Sequence, residues 1–596
     1  MSALFRNRFK PDSSGDHRNV STTQSVTASG DIQVSDGDLK YVGQQGGNNA
    51  PVGYQEASGA PVEVHSPLGY AVGPVTIVFL NLSKMVGTGI FSTPASILKG
   101  TGSIGLSLIF WFLGFLTSLS SLSVYLEYAA SFPSRSGSEV AYLEQAYPRP
   151  KYFFPTTFAI QTVILSFSSG NAVVMANYLF AIGEYEASNW ETKGLAIGCY
   201  TLAVLFVIFH TRASYLISNA IGAIKLITLV FIAIVGLVVL GGNTRVENPK
   251  ANFHDAFNGA ASPYGVTNAM YKIIFAYAGY ENAFNVVNEV KNPVKTLRNN
   301  TFAALTVVAI LYMLANIAFF SAIPKKEIIE AKTIAAGLLF TKVFGNHGAV
   351  RGLNFLIALS SFGNLIAVLL GQSRVMRECG RQGVLPWTKF WVSTKPFGTP
   401  AGPYLVKWAL TVIMILGPPA GDAFNFITDL QVYPSSIFNL IMGIGIYVLR
   451  YNRHRLGLPK PTFQAWNVVL VFNIIVQLYL IIMPWYPPTG GANGGDVSFW
   501  YGTYIVVGIA ILIICALYYL TWIVWLPKIK GYKVRQELLQ LGDGVQSHVL
   551  VKVPLDQLSE FEATHDANGE RVSQTPSETD EKIGVAVDVK GDERSV

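Results

Sequence analysis

The stretch KMVGTGIF at residues 84–91 interrupts the first of about twelve long apolar runs in this chain. An apolar run of ~20 residues is typical of a helix that spans a membrane. Lipid offers no hydrogen-bond partner to released backbone groups, so a break in such a helix survives only beside protein or a water-filled cavity. Two glycines flanking a threonine within this run therefore predict a broken helix at a binding site inside the membrane.

Composition supports an all-α polytopic membrane protein. The chain has 596 residues, of which 51% are hydrophobic and 13% are charged, whereas soluble domains carry about 25% charged residues. We expect about twelve transmembrane helices, numbered in chain order as spans 1 to 12. Their expected residues are 68–98, 103–131, 154–183, 194–210, 217–241, 264–290, 301–323, 349–377, 403–419, 424–449, 466–486 and 499–524.

Three regions follow from this division. Residues 1–64 are polar and predict a disordered cytoplasmic tail, residues 65–530 form the transmembrane domain, and residues 531–596 form a second cytoplasmic tail. Lysine and arginine concentrate in the loops that would face the cytoplasm if both tails lie inside. The net charge of +7 therefore reflects membrane orientation, with the lipid bilayer as a partner and no nucleic acid.

Absent motifs narrow the function. The sequence has no phosphate-binding glycine loop, nucleophile–histidine arrangement or clustered metal ligands. We therefore expect no enzyme activity, no cofactor, no metal site and no self-contained ATP-driven pump. The function that remains is transport driven by an ion gradient or by exchange of substrates.

Span 6 carries a second predicted break, IIFAYAGYE at residues 273–281. It lies five spans after the first, which matches the LeuT-like 5+5 inverted repeat, where spans 1 and 6 are broken opposite each other at the midplane. The alternative is that Gly87 and Gly89 only allow close helix packing.

The two breaks together suit a free amino acid. Backbone N–H groups at the start of the resumed span 1 helix suit a carboxylate, and carbonyls of the unwound span 6 suit an ammonium group. The predicted substrate-binding residues are Gly87, Thr88, Gly89, Ile90, Phe275, Ala276, Tyr277 and Gly279. A polar patch at 166–171 in span 3 faces either a neighbouring helix or the cavity.

Three motifs resemble those of the amino acid–polyamine–organocation (APC) transporters: GTGIF at 87–91, EVKNP at 289–293 and GRQGVLP at 380–386. Within that superfamily the chain is most similar to the fungal high-affinity methionine permeases, relatives of the L-type amino acid transporters. The resemblance implies alternating-access import of a neutral apolar L-amino acid, with methionine as the leading candidate. It also implies proton coupling and a plasma-membrane location.

Charged residues inside the membrane are costly, by ~3 kcal/mol or more, and need a reason. The resemblance implies that Lys225 of span 5 occupies the volume where sodium-coupled relatives bind an ion, and that it bridges span 1 to Ser360 and Ser361 of span 8. Snorkelling to the interface is the alternative. Lys84 and Glu281 either pair with each other or leave Glu281 for the substrate ammonium.

Two further readings stay open. One is movement of polyamines or cationic amino acids, with Glu281 receiving the extra charge, and the other is a non-transporting amino-acid sensor of the same fold. The resemblance also implies regulated endocytosis, with ubiquitin-ligase adaptors as partners of the tails and Lys10 and Lys40 as the candidate modified residues.

Overall fold

The structure, a computed structural model, is a helical membrane protein with short strands at both ends. It describes residues 25–26, 32–36, 39–45, 52–56, 59–61, 68 and 72–571, except 134, 243, 291–292, 331–334, 346, 419, 456–459, 542–544 and 567–568. Ten helices in this part of the chain are long and apolar enough to cross a membrane.

The helices follow the expected order. Spans 1 to 6 contain the helices Pro74–Met85, Gly89–Ser92 and Pro94–Thr101 (span 1), Ile104–Ser131, Phe153–Ile164 with Ser169–Ile182 (span 3), Asn189–Phe209, Thr211–Leu240, and Pro263–Tyr277 followed by the 3₁₀ helix Asn282–Glu289 (span 6). Spans 7 to 12 contain Pro293–Ala322, His347–Arg381, Ala401–Leu416, Ala420–Arg455, Asn467–Ile482 with Met483–Trp485, and Thr503–Tyr519 extended by Leu520–Trp525 and Leu526–Lys530. Short helices outside the spans are Glu139–Ala146, Ala251–His254, Lys325–Glu330, Ala335–Phe344, Thr388–Val392 and Leu558–Thr564.

The polytopic helical fold is confirmed, while the count of twelve spans stays a prediction. Spans 6 and 9 are not among the ten helices that meet the length and hydropathy requirement. Span 9 has an apolar helix of only 16 residues, and the helix of span 6 ends at Tyr277.

Both predicted breaks are present. The first helix of span 1 ends at Met85, the amide of Gly87 donates to the Met85 carbonyl at 2.8 Å, and the helix resumes at Gly89. In span 6, Gly279 has φ +137°, a conformation that L side chains rarely adopt and that favours glycine. The glycines therefore allow the backbone to leave the helix at these two places.

A third break interrupts span 3, which we expected to run continuously through residues 154–183. One helix ends at Ile164 and the next begins at Ser169. No glycine lies at residues 165–168, so composition alone does not signal this break. Contacts from neighbouring spans, described below, account for it.

Buried ion pairs join the spans at one end of the bundle. Arg450 of span 10 donates to both carboxylate oxygens of Glu127 of span 2, at 2.7 Å each, and the Ala465 amide donates to the same group. Glu289, after span 6, accepts from Arg374 of span 8 at 2.9 Å and from the Tyr215 hydroxyl at 3.0 Å. These carboxylates therefore join ends of neighbouring spans to each other.

Strands flank the membrane domain. Near the C-terminus, Tyr532–Leu541 and Val545–Pro554 form an antiparallel hairpin, which contacts span 8 through a 2.9 Å hydrogen bond from Arg381 to the Gln546 carbonyl. The sequence did not predict this hairpin, whose residues pair as a two-stranded antiparallel ladder.

The tail predicted at residues 1–64 lies mostly outside the described residues. Within 1–64, four short strands pair in sequence order as an antiparallel sheet: Ser25–Val26, Ile32–Asp36, Leu39–Gln45 and Val52–Glu56. Lys10 lies outside the described residues, and Lys40 belongs to the third strand.

Replacement of Glu127 by Gln tests the span 2–span 10 anchor. Loss of the carboxylate leaves the partly exposed Arg450 without its counter-charge, and removing the partner of such a hydrogen bond costs about 1–3 kcal/mol. We expect a clear fall in the thermal unfolding midpoint of the purified protein. Glu186→Gln, at an exposed position in the loop before span 4, is the control. Equal midpoints for the two variants would contradict the anchoring role.

Candidate functional site

A cavity of about 280 Å³ lies between the breaks of spans 1 and 6. The predicted site residues that line it are Lys84, Gly87, Thr88, Gly89, Phe275 and Glu281. The other predicted residues lie outside its lining: Ile90, Ala276, Tyr277, Gly279, Lys225, Ser360 and Ser361. The predicted positions thus divide into a set that faces the cavity and a set that shapes it from behind.

Span 1 presents the backbone of Thr88 and Gly89 to the cavity, and Ile90 lies just outside its lining. Among the described residues, the amides of Thr88, Gly89 and Ile90 donate to no backbone carbonyl, whereas those of Phe91 and Ser92 already donate to Thr88. The helix that begins at Gly89 adds the positive end of its dipole. This arrangement suits a carboxylate.

Span 6 presents carbonyls, some of which already have a partner. The Ala278 amide turns to the Phe275 carbonyl at 3.2 Å, three residues back. The Ala276 carbonyl accepts the Tyr312 hydroxyl at 3.1 Å. Each carbonyl oxygen has two lone pairs, so this segment keeps capacity to accept from an ammonium group.

The two breaks touch each other directly. A Cβ at Gly89 would lie 2.9 Å from both Cα and Cβ of Ala276, a distance too short for a side chain. The Tyr312 hydroxyl of span 7 lies between the breaks and also donates to the Met85 carbonyl at 2.8 Å. Tyr277 is buried against Tyr312 and Trp111. Ala276 and Tyr277 therefore determine how closely spans 1 and 6 pack against each other.

Lys84 and Glu281 form an ion pair at the cavity wall. Their charged atoms lie 2.5 Å apart, and the Gly279 amide donates to the second carboxylate oxygen at 2.8 Å. Both side chains also line the cavity. The pair joins span 1 to span 6 across the unwound segments, and each charge neutralises the other.

Lys225 lies behind the break of span 1. Its ammonium group donates to the carbonyls of Ser83 at 2.8 Å and Val86 at 2.6 Å. Ser360 of span 8 donates to the same Val86 carbonyl at 3.3 Å. Ser361 instead donates to Ile357 within its own helix. The expected bridge from span 5 to span 8 thus passes through Ser360.

Asparagines supply contacts that the sequence reasoning did not assign. Asn171 of span 3 accepts the Thr88 hydroxyl at 2.6 Å and donates to Asn364 of span 8 at 2.7 Å. Asn364 also donates to the Lys84 carbonyl, and Asn81 donates to the Tyr280 carbonyl at 2.8 Å. The sequence feature that could have revealed these residues is an amide side chain inside an apolar span, because such a group needs a hydrogen-bond partner there.

The cavity lining extends beyond the two breaks. Phe275, which lines it, meets the ring of Phe424 edge to face at 5.8 Å between centroids. The lining also includes Glu139, in the short helix between spans 2 and 3. Burial raises the pKa of the Glu139 carboxyl, which accepts a hydrogen bond from Tyr125. The cavity therefore extends from the breaks to the segment between spans 2 and 3.

A bundle of apolar spans with two opposed breaks around a buried cavity defines a membrane transporter. The model of the amino acid permease family matches residues 72–512. The chain belongs to the amino acid permease family, and it is an integral multi-pass membrane protein that transports amino acids and has no enzyme function.

Relatives share most of their length with this chain. The high-affinity methionine permease of Saccharomyces cerevisiae is 32% identical over 499 residues, which cover 83% of this chain and 86% of that protein. The low-affinity methionine permease of the same yeast is 26% identical over 537 residues, or 88% and 96% of the two chains. The mouse b(0,+)-type amino acid transporter 1 is 26% identical over 431 residues, or 69% and 82%.

Replacement of Gly89 by Ala tests the contact between the breaks. The added methyl group would push Ala276 away and displace the donors of span 1, and small displacements of binding groups cost large factors in rate. We expect uptake to fall about tenfold or more. Gly198→Ala, in span 4, is the control because a Cβ there meets nothing within 4 Å. Equal uptake by the two variants would refute the contact's importance.

Charge exchange tests the Lys84–Glu281 pair. Lys84→Glu and Glu281→Lys each place two like charges against one another, so each single variant should lose uptake. The double variant restores opposite charges at 2.5 Å and should recover part of that uptake. The measurement is initial uptake at equal surface expression. No recovery would show that one of the two side chains acts apart from the pair.

Proposed function

We propose that this permease is a secondary active transporter that imports a neutral apolar L-amino acid, with methionine the leading candidate, by alternating access and with proton coupling. The LeuT-like 5+5 inverted repeat is part of the same proposal, because alternating access in that fold moves one repeat against the other around a fixed site.

The observation that carries the proposal is the pairing of backbone groups across the cavity. Thr88 and Gly89, whose amides donate to no backbone carbonyl among the described residues, line the cavity together with Phe275 of span 6. Donors on one side and acceptors on the other match the carboxylate and the ammonium of an α-amino acid. The side chain of such a ligand plays no part in this recognition. The other residues that line the cavity therefore determine which side chain is accepted.

The Lys84–Glu281 pair favours a neutral substrate over a cationic one. Glu281 already binds an ammonium group and a backbone amide. A polyamine or a lysine side chain would have to displace Lys84 to reach this carboxylate, which would leave the lysine without its partner. The cationic alternative therefore lacks an available negative charge at this point.

The lining also suits an apolar side chain. Leu165 and Phe167 of span 3, Phe275 of span 6 and Ile427 of span 10 all contribute to the cavity wall. Two relatives with broad coverage carry the name methionine permease. Together these observations support methionine as the leading candidate, with leucine and phenylalanine as close competitors.

Lys225 is the candidate for coupling. It is buried, and among the described residues no carboxylate pairs with it. Among the described residues its partners are the Ser83 and Val86 carbonyls at the span 1 break, so loss of its proton would remove the charge that holds this break. A proton on Lys225 would thereby be linked to the geometry of the substrate donors.

The location follows the resemblance. We propose the plasma membrane with both tails in the cytoplasm, where ubiquitin-ligase adaptors would reach Lys10 and Lys40. Replacement of both lysines by arginine should slow substrate-triggered internalisation, and unchanged internalisation would exclude these two sites.

Uptake by the purified protein in liposomes tests the proposal. The panel is labelled methionine, leucine, phenylalanine, lysine and spermidine, each with and without an inward proton gradient. We expect gradient-stimulated uptake of methionine that leucine competes with and spermidine does not. Uptake of lysine or spermidine instead would establish the cationic alternative, and binding without flux would establish a sensor.

Replacement of Lys225 by Met tests coupling. Methionine keeps the length of the side chain but donates to neither Ser83 nor Val86, and each buried acceptor left without a partner costs about 1–3 kcal/mol. We expect the uptake rate to fall at least about tenfold and its pH dependence to disappear. Lys193→Met is the matched control, since Lys193 is also buried and donates to the Leu416 carbonyl at 2.8 Å. Unchanged rate and pH dependence would remove Lys225 from the mechanism.

A further inference from the structure

The break in span 3 is held by side chains from other spans. The Ser166 carbonyl accepts a hydrogen bond from Lys407 of span 9. The Phe167 carbonyl accepts from Gln431 of span 10 at 3.0 Å, and the Ser168 amide donates to the Thr411 hydroxyl of span 9 at 3.0 Å. Three consecutive residues thus each have a backbone group that another span satisfies, as a break inside a membrane requires.

Lys407 is the charged member of this set. It is fully buried, and among the described residues no carboxylate pairs with it. Its second acceptor is the Gln372 side chain of span 8. A buried lysine costs several kcal/mol unless its donors are used. The donors of Lys407 join spans 3, 8 and 9 at one point, so this lysine connects the span 3 break to span 8.

The residues around this point form part of the substrate cavity. Leu165, Phe167 and Asn171 line it from span 3, and Gln372 lines it from span 8. Asn171 follows one turn after the break and accepts the Thr88 hydroxyl at 2.6 Å. The shape of the break therefore sets an apolar wall of the cavity, while the contact of Asn171 to span 1 belongs to the helix that resumes at Ser169.

We propose that Lys407 is a positioning residue for substrate selection, which holds the span 3 break so that Phe167 forms a wall against the substrate's apolar side chain. The inference rests on the proposed function, because it requires an amino acid in this cavity. Lys407 does not touch the substrate in this account. It acts through the Ser166 carbonyl and Gln372.

The test compares the Michaelis constants of methionine, leucine and alanine for purified variants in liposomes. Alanine has too short a side chain to use the wall, so it reports on main-chain recognition. In Lys407→Met we expect the preference for methionine and leucine over alanine to fall about tenfold, the effect of a few lost side-chain contacts in an apolar pocket. The maximal rate for alanine should change less than about twofold. Lys193→Met is the control and should keep the preference.

A second variant covers the case in which Lys407→Met does not fold. Thr411→Val keeps the shape of the side chain and removes the acceptor of the Ser168 amide, so it should lower the same preference. If the preference is unchanged in every folded variant, the inference is wrong while the proposed function stands. If the native protein transports none of the three amino acids, both are wrong.

Discussion

The structure depends on one constraint, which is that backbone groups released inside a membrane must find partners within the protein. Each of the three broken spans meets it with side chains from other spans. Lys225 and Ser360 bind the Val86 carbonyl, Tyr312 binds carbonyls of spans 1 and 6, and Lys407 binds the span 3 break. These long-range hydrogen bonds replace the local ones that a continuous helix would have made.

The same constraint bears on the amino acid recognition proposed above. Several released groups at the breaks have a protein partner, whereas among the described residues the amides of 88–90 donate to no backbone carbonyl. A buried donor without a partner is costly. A ligand carboxylate that accepted hydrogen bonds from these amides would remove this cost, which favours its binding. Because the proposed recognition uses the ligand main chain, the cavity-lining side chains of spans 3 and 10 could change without loss of the main-chain binding site.

The sequence predicted the elements whose signals are local. Long apolar runs identified the spans, and glycines identified the breaks of spans 1 and 6, because Gly279 has a positive φ and Gly89 has no room for a side chain next to Ala276. The break in span 3 has no such signal, since its partners Lys407 and Gln431 are more than two hundred residues away in the chain. The inward or outward orientation of Ala276 and Tyr277 likewise depends on contacts with Gly89 and Tyr312 that spacing alone does not reveal.

The Tyr312 hydroxyl has a mechanical consequence. It bonds to the last helical turn of one broken span and to the last turn of the other, at 2.8 and 3.1 Å, while Gly89 and Ala276 leave no gap between them. Spans 1 and 6 cannot slide past one another without breaking these contacts. Under the proposed alternating access, spans 1, 6 and 7 would therefore move as one unit, and the rearrangement would fall on the contacts that this unit makes with the spans around it.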